Sequence, residues 1–211
     1  TGTHRLSGRR LWLARLALVV LAPALVLACA EGALRLAGYG YSPHFFAGPD
    51  TAGNYTPNDA FGLRFFPPGI VREPTVCLLA AEKPAGTIRI FVLGSSAAEG
   101  TPDPAYSFGR ILEVMLRERY PGLKFQVVNA AMTAINSHVV REIARDCAPL
   151  EPDLFIIYMG NNEVVGPFGP GTILDPYSGS LAAIRAGLWI KSTRLGQAFR
   201  DLAGRLAPRP E

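Results

Sequence analysis

The sequence predicts an α/β domain built on a parallel sheet. Ile88–Leu93, Phe125–Asn129 and Leu154–Met159 are short apolar or β-branched runs, the first interrupted only by Arg89. Each is stopped by small or polar residues, as buried strands are. The intervening stretches, Ala105–Tyr120 and Ser137–Cys147, carry apolar residues at helical spacing. Strands alternating with amphipathic helices imply a parallel sheet with helices on both faces.

The first strand organises the rest. It ends in Gly94-Ser95-Ser96-Ala97-Ala98-Glu99-Gly100, and open α/β sheets place their chemistry just beyond such carboxyl ends. Adjacent serines with small neighbours stand where a nucleophile belongs; a plain strand-to-helix turn is the competing reading. No G-K-[ST] and no G-x-G-x-x-G is present, so neither nucleotide loop is supported. The following helix is expected to turn Phe108, Ile111, Leu112, Met115 and Leu116 inward and to stop at Pro121-Gly122. The second strand ends in Ala130-Ala131-Met132-Thr133. After it, Ser137 is expected to cap a helix that buries Val140, Ile143 and Ala144. The third strand ends in Gly160-Asn161-Asn162-Glu163. In a parallel sheet these three ends share one rim, where a hydroxyl, backbone donors and an amide can meet.

The flanking segments differ in character. Leu11–Ala30 is almost continuously apolar apart from Arg15 and follows His4, Arg5, Arg9 and Arg10. About 20 such residues at roughly 1.5 Å each match the hydrocarbon thickness of a bilayer. The basic flank favours a cytoplasmic amino terminus. A retained anchor, a signal peptide cleaved after Ala28-Cys29-Ala30 and lipid attachment at Cys29 all carry the rest of the chain across the membrane. Tyr39–Pro84 is rich in Gly, Pro, Asn and aromatics, and its Phe61–Pro68 and Pro43–Phe46 stretches read as short extended pieces; Val76–Ala81 reads as a further strand. Ile184–Leu206 interleaves apolar and basic residues and reads as an amphipathic helix that packs on the sheet or lies on an anionic membrane surface. The net charge of +4 is spread over scattered arginines. It points to membrane topology, with no aromatic-basic platform for nucleic acid. The three cysteines form neither a metal cluster nor a disulfide framework, and no metal or cofactor is expected.

The three strand ends, taken in order, resemble the SGNH or GDSL hydrolase family, particularly its membrane-anchored bacterial members. Gly94–Gly100 (GSSAAEG) is similar to the first block and marks Ser96 as nucleophile, with Ser95 in place of the usual Asp. Val127–Met132 (VVNAAM) is similar to the second block, whose glycine falls at Ala131. Gly160–Glu163 (GNNE) is similar to the third, placing a side-chain donor at Asn162. The resemblance implies a three-layer, flavodoxin-like sandwich and a serine hydrolase whose oxyanion donors are the Ser96 and Ala131 N–H groups and the Asn162 amide. The family's late D-x-x-H block, which supplies base and orienting acid, has no counterpart here, and neither have its fourth and fifth strands. The chain is therefore expected to stop before its base, with little turnover of its own.

The resulting expectation is a cytoplasmic segment at 1–10, a transmembrane helix or signal anchor at 11–37, a linker or small cap at 38–84 and an SGNH-like domain at 85–211. Its function is ester hydrolysis on an O-acyl or other ester, such as an acylated glycan, at the bacterial inner membrane, with the domain facing the periplasm or exterior. O-acyl transfer to envelope glycans and a non-catalytic carbohydrate-binding or scaffold role are the alternatives.

Overall fold

The computed structural model describes residues 8–172 and 179–206, and groups the chain into two compact units, 1–41 with 190–211 and 42–189. The expectations for His4 and Arg5, for part of the loop after Glu163 and for the carboxyl end fall partly or wholly outside the described residues.

The first unit contains α1 (Gly8–Leu36), within which Leu11–Leu36 has a mean hydropathy of 2.4 and none of its most apolar window buried. By length and composition it is consistent with a membrane-spanning or signal segment. Pro23 lies inside it, where a membrane helix tolerates it.

The second unit holds two sheets. β1 (Phe46–Ala47), β2 (Asn54–Pro57) and β3 (Leu79–Ala80) form a small antiparallel sheet in that order. The expected extended piece at Phe61–Pro68 is instead two 3₁₀ turns, Asp59–Arg64 and Pro68–Ile70. Asn58 starts the first by accepting the Ala60 N–H, the local side-chain bond by which Asn draws a chain into a turn. The turn buries Phe61 beside Phe45 and Phe65, with ring centroids 5.2 and 5.1 Å away.

β4 (Thr87–Gly94), β5 (Lys124–Asn129) and β6 (Leu154–Tyr158) form the parallel sheet, with β4 in the centre. Val92 pairs with Asn129 on one side and Ile156 on the other. Strict alternation sends Phe91 and Leu93 to one face and Val92 to the other. The first face packs in one core with Phe46, Val128, Met132, Val139, Ile143 and the aromatic residues of the small sheet.

Helix α2 (Ser96–Glu99) follows β4 directly; α3 (Phe108–Arg119) covers the Val92 face and α4 (Ser137–Cys147) the Phe91 face. Gly109 is what brings α3 close, since a Cβ there would stand 3.1 Å from a Val92 methyl. This contact rotates α3 away from the expected face: Gly109 and Glu113 are buried, whereas Ile111 and Met115 are 53% and 62% exposed. Glu113 tolerates burial because Arg110 and Arg117 pair with its two oxygens.

The expected single helix at Ile184–Leu206 is two, α5 (Leu181–Ser192) and α6 (Arg194–Leu206). Thr193 separates them, its hydroxyl donating to the Ile190 carbonyl at 2.7 Å. Ile184 and Leu188 of α5 join the core of the second unit. Among the described residues β6 has no neighbour on its outer side, and Leu154, Ile157 and Tyr158 are about half exposed.

Candidate active site

Gly94 determines how β4 leaves the sheet. Its φ is 157°, and a Cβ there would collide with the Tyr158 carbonyl oxygen and stand 2.6 Å from the Ala98 methyl. Only glycine lets the chain turn between β6 and α2. Ser95 follows in extended conformation, buried, and Ser96 opens α2, half-buried, with its carbonyl accepting the Gly100 N–H at 3.0 Å. Gly100, at φ 96°, closes the turn. Among the described residues the Ser96 hydroxyl has no hydrogen-bond partner.

The loop after β5 runs alongside. Ala130 donates to the Val92 carbonyl at 2.9 Å and Met132 to the Gly94 carbonyl at 3.1 Å, so this loop continues β5 past the end of β4. Asn129 ties it to the Ser96 turn. Its amide nitrogen donates to the Ala98 and Glu99 carbonyls at 3.2 and 3.1 Å, and its side-chain oxygen accepts the Ala131 N–H at 3.1 Å. The Ala131 N–H is thus engaged by Asn129, and the Ala131 methyl packs with Val92 and Ala98 in the core. Three residues on, Ala134 has φ 59°, a left-handed conformation uncommon for a residue with a Cβ. Its N–H meets no acceptor among the described residues. Such backbone strain clusters at functional sites, and no sequence signal marks an alanine as holding it.

Glu99 anchors the other end of α2. Its carboxylate is buried and accepts the hydroxyls of Thr75 and Thr101, both at 2.9 Å. A cleft of about 430 Å³ is lined by Ala97, Thr101, Pro102, Asp103, Tyr106 and Phe108; Ser96 is not part of its lining.

Asn162 lies in the turn after β6, half-buried, with its carbonyl accepting the Gly166 N–H at 2.7 Å. Glu163 reaches the start of α4, where its two oxygens accept the Ser137 N–H at 2.9 Å and the Ser137 hydroxyl at 2.7 Å. The cap expected of Ser137 is therefore supplied by Glu163, whose negative charge suits a helix amino terminus. Asn136 adds a second tie, donating to the Pro167 carbonyl at 2.7 Å.

The described histidines stand apart from Ser96. His44 meets the Asp146 carboxylate at 3.1 Å, an acid–base pair in form. Asp146 lies in the last turn of α4, and α4 runs from the Glu163 rim back across the sheet. Its 11 residues put the pair about 15 Å from that rim. His138, in the first turn of α4, sets its ring edge-on to Phe168 at 5.9 Å. Among the described residues no histidine is bonded to Ser96, so no catalytic triad is assembled. Burial pushes the Cys77 thiol up to about 11, and Cys147 is raised further, so both stay protonated at neutral pH. The described residues also contain no group of three metal-ligating side chains.

No family model and no curated protein matches the sequence. Two solved structures are similar: AlinE4, a SGNH-hydrolase family esterase, and an aspartate-to-alanine mutant of that esterase. Each is 22% identical with a TM-score of 0.34, and the match covers 60% of this chain and 58% of the esterase. The chain thus spans less than two thirds of the esterase's length. This is a distant structural link to an SGNH-hydrolase family esterase, and the candidate site stands on its own geometry.

Proposed function

We propose that this chain carries the nucleophile and oxyanion side of an SGNH-type serine ester hydrolase, tethered to the bacterial inner membrane by α1 and facing the periplasm or exterior. The supporting observation is the Ser96 turn: an unpartnered hydroxyl at the end of the central strand, pinned by Gly94 and Asn129, between the loops that carry Ala131 and Asn162. In this reading Ser96 Oγ attacks the acyl carbon of an ester, the alcohol leaves with a proton, and water releases the acid from the acyl-enzyme. The Ser96 N–H, the Asn162 amide and an N–H of the loop after β5 stabilise the oxyanion. In that loop Ala131 serves only if it gives up Asn129, whereas the Ala134 N–H is already unengaged. The cleft beside Ala97 receives one arm of the ester.

The test is labelling by a serine-directed fluorophosphonate of the protein expressed in membranes from its intact reading frame. Labelling is expected to vanish in Ser96→Ala; persistence at another serine overturns the assignment. Orientation is tested separately. A cysteine introduced at Thr101 in a cysteine-free background should react in intact cells with an impermeant reagent, and protection of that position reverses the topology.

A further inference from the structure

Helix α6 turns its polar side inward and its apolar side out. Within the first unit, Glu31 of α1 accepts the N–H groups of Arg194 and Leu195 at 3.0 and 2.9 Å, fixing the start of α6 to the end of α1. Gln197, only 2% exposed, accepts the Tyr41 N–H and donates to the Tyr41 carbonyl at 2.9 and 3.1 Å. Asp201 accepts the Tyr39 hydroxyl at 2.7 Å, and Arg200 donates to the Tyr41 hydroxyl at 3.1 Å with its guanidinium 5.4 Å from that ring. Gly40 belongs to the same fastening, since a Cβ there would strike the Gln197 side chain.

The opposite side is apolar. Leu195, Phe199, Leu202 and Leu206 fall at i, i+4, i+7 and i+11 and make one stripe. Phe199, Leu202 and Leu206 are 75%, 55% and 77% exposed. A soluble helix buries such a stripe and leaves Gln and Asp to water; α6 does the reverse. Its three arginines against one aspartate make it basic. Its attachment point, Glu31, directly follows the apolar run Leu11–Ala30. If that run fills the hydrocarbon of a bilayer, the start of α6 stands at the bilayer's edge.

We infer that the Phe199–Leu202–Leu206 stripe of α6 inserts into the interfacial layer of an anionic phospholipid membrane, the same membrane that α1 enters. Apolar burial drives the insertion, and the arginines, Arg194 and Arg205 among them, favour acidic headgroups. The inference rests on α1 spanning the bilayer and is independent of the chemistry at Ser96. It gives the chain a second membrane contact, one that lies on the surface.

The experiment uses the whole chain, made cysteine-free, in nanodiscs of phosphatidylcholine with phosphatidylglycerol. An environment-sensitive fluorophore is placed in turn through Phe199→Cys, Leu202→Cys, Gly204→Cys and Val20→Cys. Spin labels near the headgroup or deep in the acyl chain serve as quenchers. Positions 199 and 202 are expected to show at least about twofold stronger quenching by the shallow label than position 204 on the polar side, falling at high salt. The deep label at position 20 reports α1 separately, so a failed anchor is distinguishable from a failed α6. Equal quenching at 199, 202 and 204 overturns the inference, as does equal quenching in purely zwitterionic discs. Burial of 199 and 202 that depends on protein concentration and escapes lipid quenchers also overturns it, in favour of a second copy.

Discussion

Where the strands of the parallel sheet begin, polar groups are spent on holding elements together; where the strands end, a hydroxyl and an N–H are left over among the described residues. At the starting rim Arg89 is fully buried. It donates to the Gln126 side chain at 2.8 Å, the Leu150 carbonyl at 2.7 Å and the Ala80 carbonyl at 3.1 Å, joining β5, the approach to β6 and the small sheet. Beside it Asp153 accepts the Arg89 N–H at 2.6 Å and pairs with Lys83. At the finishing rim the Ser96 hydroxyl and the Ala134 N–H have no partner among the described residues, and Asn129 and Glu163 work only to hold their loops. The proposed function reads this contrast as stability at the starting rim and chemistry at the finishing one.

The sharpest way to break that assignment is Ser96→Ala. In the protein expressed from its intact reading frame, ester turnover in membranes is expected to fall roughly 10⁴-fold or more, while the midpoint of thermal unfolding stays put. A stability loss at Ser96 comparable to that at the other rim would erase the distinction. Arg89→Ala should do the opposite, costing about 4 kcal/mol by stranding several buried acceptors at once. Denaturant titration of the purified protein measures it. Asn129→Ala lies between: it belongs to the finishing rim but holds rather than reacts. About 2 kcal/mol of stability and roughly tenfold in turnover are expected to go together, because the Ser96 turn loses its tie to the loop after β5.

The smallest effect depends on pH. Lys83 and the Arg89 N–H hold the Asp153 carboxyl below its ordinary value of 3.8. A carboxyl lowered in the folded state stabilises fully above the unfolded value, and that stabilisation is lost as pH falls through the folded one. Asp153→Asn should therefore melt below the natural protein at neutral pH, and the two curves should converge in acid beneath 3.8. A gap that persists there would mean that packing rather than charge holds this corner.

The strands were legible because buried parallel strands leave an unambiguous mark: continuous apolar runs cut off by small residues. The observed β4, Thr87–Gly94, contains the expected Ile88–Leu93, and β5 and β6 differ from expectation by one terminal residue each. The facing of α3 was less legible. Ile111 and Met115 look like core residues by period, yet a glycine, invisible to hydropathy, decides which side approaches the sheet. The Phe61–Pro68 turn escaped because an Asn side-chain bond, not periodicity, sets it. At the candidate site the residue types at Ser96 and Asn162 were readable. The partner that occupies the Ala131 N–H was not, since Asn129 looks like the last residue of a strand until its side chain is seen to fold back.

The outer flank of β6 bears on how the protein behaves at concentration. Among the described residues no strand pairs with its outer backbone, which lies beside half-exposed Leu154, Ile157 and Tyr158, with no charged side chain between Leu154 and Tyr158 to discourage docking. Such an edge is a template for another strand. Where these 211 residues are handled by themselves, crowded copies would meet there and grow sheets from one molecule to the next, so dilution and a lysine at Ile157 should lengthen the life of a clear solution.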